Sequence, residues 1–205
     1  MKVLMINGSP NAHGTTRRAL DEMAAQLNAN GVEAEIFHIG NKPVRGCIGC
    51  WKCNGRCIFN DDVNIAIEKM EQSDGLVIAS PVYFASPNGS LLAFLDRMFA
   101  AGSGAAFEGK PAAVISVARR AGTTATLDAL TKYPSINNMP LVTSSYWTMV
   151  HGTSAAEAEQ DAEGLQVMRN LGRNMAWLLK CIELGKQSGV AFPSPEEGSR
   201  TNFIR

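Results

Sequence analysis

Apolar residues recur along this chain in two periods, and the way these alternate predicts a layered α/β protein. Val3-Leu4-Met5-Ile6 is a short, continuous apolar run closed by Gly8, the pattern of a strand covered on both faces. Leu76 to Ala79 and Ala112 to Val117 repeat it, and Met139 to Thr143 is the expected fifth strand. The segment Val32 to His38 instead alternates, with Ala34 and Ile36 set against Glu33 and Glu35, which suits a strand near a sheet edge. Between these runs the period lengthens. Leu20, Met23, Ala24 and Leu27 mark a helix opened by Thr15 or Thr16 and closed by Asn28, Asn30 and Gly31. Asp61-Asp62 caps a second helix with Val63, Ala66, Ile67 and Met70 on its apolar face. Ser86-Pro87 reads as cap and first-turn proline for a third, carrying Leu91, Leu95 and Met98. A fourth spans about Gly122 to Lys132, and a long fifth carries Ala158, Ala162, Leu165, Met175, Leu179 and Ile182.

Buried strands alternating with helices imply a three-layer, doubly wound α/β fold. Right-handed crossovers then favour a five-stranded parallel sheet in the order 2-1-3-4-5. Residues 1–184 read as one domain, with a cysteine-rich loop at 46–60. A tail at 185–205 is expected to pin Phe192, Phe203 and Ile204 to a surface.

The 205 residues are 45% hydrophobic, enough for a single core and too many for a disordered chain. Nineteen basic and nineteen acidic side chains cancel, so nucleic acid and anionic membranes are not expected partners. No apolar run approaches the roughly 20 residues of a membrane span, and the chain is expected to be cytoplasmic.

In open parallel sheets, ligands bind beyond the carboxyl ends of the strands where the strand order reverses, so three loops matter. The first, Gly8 to Thr16, offers hydroxyls, a side-chain amide and free N–H groups at a helix N-terminus. It lacks the lysine of a nucleotide loop and the spacing of a dinucleotide fingerprint, which leaves a monoester phosphate held by neutral donors. An ordinary strand-to-helix turn is the alternative. His13 in this loop reads as a simple surface histidine. The second loop, Ser80 to Asn88, places Tyr83 and Phe84 directly after a buried strand, suited to a flat ring or to covering the core or a subunit contact. The third, Ala118 to Thr124, brings Arg119 and Arg120 to the same rim, either to meet negative charge or as solvated surface groups.

The cysteines carry the most distinctive spacing. Cys47-x2-Cys50-x2-Cys53-x3-Cys57 matches the bacterial ferredoxin run, with Ile58 in place of its proline. In two-cluster ferredoxins the fourth cysteine of such a run serves the other cluster, and here only Cys181 is left over. A [4Fe-4S] cluster and a clusterless thiol-rich loop both remain open. Zinc fits less well, because its structural sites usually split the ligands into two distant pairs. Cys50 and Arg56 also satisfy the C-x5-R phosphatase spacing, but Trp51 and Lys52 are bulky and no strand precedes them.

The loop Gly8-Ser9-Pro10 to Gly14-Thr15-Thr16, the run Cys47-x-Gly49-Cys50-x2-Cys53, Asp61-Asp62, Pro81-Val82-Tyr83-Phe84 and Leu95-Asp96-Arg97 follow one another in a recognisable order. The series resembles the flavodoxin-like NADPH-dependent FMN reductases, in particular the branch of iron-sulfur flavoproteins, from Met1 to about Gly152. The resemblance implies a flavodoxin-like domain binding FMN. Ser9, Asn11, Gly14, Thr15 and Thr16 would take the phosphate, and Pro81, Val82, Tyr83 and Phe84 would flank the ring and ribityl chain. Ala118, Arg119, Arg120, Ala121 and Gly122 would line its polar edge, while Trp147, Met149 and His151 either face a flavin or pack in the core or an interface. In that branch the fourth cysteine usually lies further on, so closing one cluster with Cys57 is tight. The implied activity is hydride transfer from NAD(P)H to the flavin N5 and electron delivery to a quinone, a flavin or another small acceptor, in a homodimer or homotetramer. Electron carriage between protein partners and phosphate-ester hydrolysis are the rival functions.

Overall fold

The computed structural model describes residues 1–193 together with 196, 198 and 201–203. Five parallel strands form the sheet: β1 (Lys2–Asn7), β2 (Glu33–His38), β3 (Gly75–Tyr83), β5 (Ala112–Ala118) and β6 (Met149–His151), in the order β2-β1-β3-β5-β6. A two-residue strand, β4 (Ser86–Pro87), pairs antiparallel with the end of β3. With β4 set aside, this is the doubly wound 2-1-3-4-5 order that the alternation of patterns predicts. The helices are α1 (Thr15–Ala29), α2 (Asp62–Glu71), α3 (Gly89–Ala101), α4 (Gly104–Phe107), α5 (Thr123–Ile136), α6 (Ala155–Ala158) and α7 (Ala162–Gln187).

The period of two divides the core. Val3, Met5, Val77, Ala79, Ala113 and Ile115 face one layer, where they meet buried residues of α1 and α7. Leu4, Ile6, Leu76, Ile78, Ala112 and Val114 face the other, against α2, α3 and α5. The central strands therefore read as continuous apolar runs. β2 is an edge strand, its residues half-buried or exposed, as its alternation predicts.

Three local expectations are corrected, the simplest being that the long last helix starts only at Ala162, capped by Asp161, while Ala158 belongs to the separate short α6. Met139 to Thr143 does not form the fifth strand. Beside β5 it makes a single bridge, Leu141 to Ala112, and the chain rejoins the sheet as β6 after a detour through Ser144-Ser145-Tyr146-Trp147. Pro140 has no N–H for a ladder and the polar residues after it favour a loop, so the paired segment moves downstream. The loop expected from Ser80 is still strand as far as Tyr83, and Ser86-Pro87 is the return arm of a hairpin rather than the start of α3. The real cap is Asn88, whose Oδ1 accepts the Ser90 N–H at 3.0 Å. Pro81 is tolerated inside β3 because β1 ends opposite Ala79, which leaves that side of β3 unpaired.

The Phe192 ring packs over Gly109, so the start of the tail is seated on the body, whereas Phe203 is fully exposed. Ile204 lies outside the described residues. No helix among the described residues is long and apolar enough to cross a membrane.

Candidate functional site

The carboxyl ends of β1, β3, β5 and β6 bring four loops to one rim, and named contacts tie each loop to the next. The Gly8 N–H donates to the Ala79 carbonyl at 2.9 Å, and the Asn88 amide returns to the Gly8 carbonyl at 2.7 Å, which joins the β1 loop to the β3 hairpin. Gly122 touches that hairpin from the β5 side: a Cβ placed there would lie 2.7 Å from the Ala85 Cα and from Val82 Cγ1. Its φ of 91° suits only glycine. The Thr15 hydroxyl donates to the Gly152 carbonyl at 3.3 Å, and the Gly152 N–H to the Ala118 carbonyl at 3.0 Å, which brings in the loop after β6.

Inside this ring of loops the first turn of α1 is left open. Its N-cap is Gly14, no side chain caps it, and no acidic residue sits in its first turn. The loop before it folds on itself instead: Ser9 Oγ accepts from the Asn11 N–H at 3.1 Å and Asn11 Oδ1 from the His13 N–H at 3.0 Å. Ser9, Thr15 and Thr16 are buried, Gly14 is half-buried, and Asn11 is exposed. Asn7, at the end of β1, is wholly buried, and its side-chain N–H group has no partner. Free helix N–H groups, a positive dipole end and an unsatisfied amide suit an anion such as an ester phosphate.

Along the rim, Pro81 and Val82 are half-buried, Tyr83 is exposed, and Phe84 stands free at the hairpin tip. Phe84 and Ala85 both have positive φ, 51° and 58°, a conformation that costs a bulky residue energy and marks the tip as constrained. Ala118 is buried at the end of β5. Arg119, Arg120 and Ala121 are exposed beyond it, and Gly122 is half-buried. On the far side His151 pairs in register with Ala118, and its N–H donates to Asp161 Oδ2 at 2.7 Å. Trp147 is exposed and stacks edge-on with Tyr146. The structure thus brings together the three loops picked out in the sequence. It adds Gly152 and Asn7, whose only sequence signal was their position at strand ends, and shows Asn88 of the second loop reaching Gly8.

A second candidate site lies beside α3. Cys47, Cys50, Cys53 and Cys57 all line one cavity of about 380 Å³, with Phe59 and Arg97 among the other walls. Burial pushes the Cys53 thiol up, and the nearby Cys50, Cys57 and Cys47 add to the shift. Among the described residues no group of three or more His, Cys, Asp or Glu has the geometry of a metal-ion site. Four thiols around one cavity match in number the donor set of a [4Fe-4S] cluster, whereas a single zinc ion needs its sulfurs about 2.3 Å away. The residues therefore fit a cubane better than a lone ion. A larger cavity, about 570 Å³, opens beneath α7 and Phe192 among Met1, Lys110 and Cys181, and gathers no comparable set of groups.

The same fold occurs in solved proteins. The NAD(P)H:quinone oxidoreductase from Methanothermobacter marburgensis superposes with a TM-score of 0.67 at 16% identity, covering 85% of this chain and 98% of its own. A flavodoxin from the domain Archaea gives 0.60 at 11%, covering 88% and 99%. At such identities the likeness speaks for the flavodoxin-like fold alone. In sequence, an iron-sulfur flavoprotein of Methanocaldococcus jannaschii is 30% identical over 192 residues, spanning 89% of this chain and 100% of that protein. Residues 1–154, which contain the whole rim and the cysteine cavity, match one family throughout. On that match the chain belongs to the NADPH-dependent FMN reductase family.

Proposed function

We propose that this oxidoreductase binds FMN, takes hydride from NAD(P)H and passes the electrons to a small acceptor such as a quinone or a second flavin. The convergence of four strand-end loops on the uncapped first turn of α1 carries the reading. In it, one FMN-binding domain runs to the end of α7 at Gln187, three residues past the expected boundary at 184, and the remainder is a tail. The α1 N–H groups with Ser9, Asn11, Gly14, Thr15 and Thr16 receive the phosphate without a cation. Pro81, Val82, Tyr83 and Phe84 flank the ring and ribityl chain. Ala118, Arg119, Arg120, Ala121 and Gly122 border the ring's polar edge, where an arginine meets the negative charge that collects on reduction.

FMN, when bound, supplies both hydride acceptance and stepwise electron release, so the protein's part is placement and exclusion of water. No side chain has to act as a strong acid or base. Exposed Phe84, Tyr146 and Trp147 beside the rim suit burial by a second copy, in a homodimer or homotetramer. Cys47, Cys50, Cys53 and Cys57 ligate a [4Fe-4S] cluster in this reading, supported by their shared cavity.

Anaerobic purification followed by a visible spectrum, iron and sulfide analysis, and rapid mixing with NADPH tests both parts. The expected protein is coloured, binds FMN tightly and loses its flavin absorbance on mixing. Colourless protein that does not take up FMN overturns the flavin reading, and yellow protein without iron overturns only the cluster. A bound flavin that NADPH leaves unbleached favours the rival role of carrying electrons between protein partners.

A further inference from the structure

We propose that Arg97 is a positioning residue for the cysteine cavity: its Nε–H holds the Cys57 sulfur at the back wall and raises the reduction potential of a cluster bound there. The inference rests on the cluster reading above. Arg97 comes from α3, is 1% exposed, and is among the largest fully buried side chains of the protein. Its two terminal nitrogens each donate to one Asp61 carboxylate oxygen at 2.8 Å, and Nη1 also reaches the Arg45 carbonyl at 3.2 Å. The Phe59 ring lies across the guanidinium, 5.0 Å from its carbon to the ring centroid.

Those contacts by themselves would bind the cysteine loop to α3, and they use the terminal nitrogens alone, which leaves the Nε donor over. That donor, Nε–H, points at Cys57 Sγ, 3.3 Å away. A neutral thiol is a weak acceptor, whereas a thiolate or a metal-bound thiolate sulfur is a charged one. Cys57 is also the cysteine whose backbone is fixed: its N–H donates to Asn64 Oδ1 at 2.8 Å, and the Asn64 amide returns to its carbonyl at 3.0 Å. Cys47 and Cys53 are exposed on the loop. The fourth ligand is therefore the anchored one, about which the other three close, and this meets the tight closure that the short Cys53 to Cys57 spacing demands.

Hydrogen bonds to cluster sulfurs stabilise the more negative, reduced state and so raise its potential. Asp61 opposes this by neutralising the guanidinium, so the two side chains should act in opposite directions. The test is an EPR-monitored redox titration of the anaerobically purified protein with dithionite and mediators, with iron and flavin content measured beside it. In Arg97→Lys one ammonium cannot serve both Asp61 and the sulfur, and the midpoint should fall by at least a tenfold change in the one-electron equilibrium, about 59 mV. Asp61→Asn keeps a good helix cap for α2 and leaves Arg97 unneutralised, so its midpoint should rise. A purely structural Arg97 predicts no opposed pair of shifts. Unchanged midpoints, or shifts of the same sign, overturn the proposal. If Arg97→Lys loses its iron, Asp61→Asn decides alone: an upward shift supports the proposal and none overturns it. Wild-type protein without iron or sulfide defeats the cluster reading itself, a result distinct from a loaded cluster whose potential ignores both residues.

Discussion

At the scale of single residues, function concentrates where backbone freedom is unusual. Gly122 has no room for a side chain, because Val82 and Ala85 approach from the hairpin and its φ is left-handed. Gly122→Val should push the β3 hairpin off the β5 loop, costing about 1–3 kcal/mol of stability. The same displacement widens the cleft proposed for the flavin ring, so FMN affinity should fall at least tenfold, about 1.4 kcal/mol. Titration of the apoprotein by quenching of FMN fluorescence, beside a urea melt, measures both, and an unaltered affinity would remove Gly122 from the proposed site. The identity of this glycine was visible in the sequence as part of a flexible loop. Its necessity was not, because the atoms that crowd it belong to residues some forty positions earlier.

At the scale of elements, the helices follow local signals where those signals are strong. Asp61 opens α2 as its position before Val63 predicts, its Oδ1 accepting the Val63 N–H at 3.3 Å. Ser86 fails as a cap because the hairpin claims it, and Asn88 takes over while also reaching Gly8. The contact between α1 and α7 depends on Gly172, where a Cβ would stand 2.8 Å from the Met23 carbonyl oxygen and from Gln26 Cβ. Gly172→Ala raises helix propensity by about 1 kcal/mol but forces two backbones apart. The net effect should be a loss of roughly 1–3 kcal/mol. Urea unfolding with an unchanged slope and a lower midpoint is the expected result, and a higher midpoint would mean that the helices yield more easily than their packing implies.

At the scale of the whole molecule, neutral charge conceals ordered pairing between distant parts. Glu22 on α1 receives Arg169 of α7 and Arg18 of its own helix, and Glu35 on β2 receives Lys2 of β1 and Lys69 of α2. Burial raises the Glu22 carboxyl, but the two guanidiniums outweigh it and leave the group below its ordinary value of 4.5. Hydrogen bonds from Lys2 and then Lys69 lower Glu35 likewise. Lowered carboxylates confer stability that is complete above 4.5 and is lost as pH falls through their folded values. Glu22→Gln should therefore lower the unfolding midpoint at neutral pH and flatten its decline in acid. Parallel acid profiles for wild type and variant would contradict this. The sequence by itself determined the doubly wound sheet, the edge position of β2, the three rim loops and the crowding of four cysteines. Each of these follows from the spacing of neighbouring residues, which encodes the faces that must be buried. Tertiary structure alone decided that β6 rather than Met139 to Thr143 completes the sheet, that β3 turns back as a hairpin, and that Arg97 meets Cys57. Those outcomes depend on which distant side chains compete for the same space and the same donors, and such competition has no period along the chain.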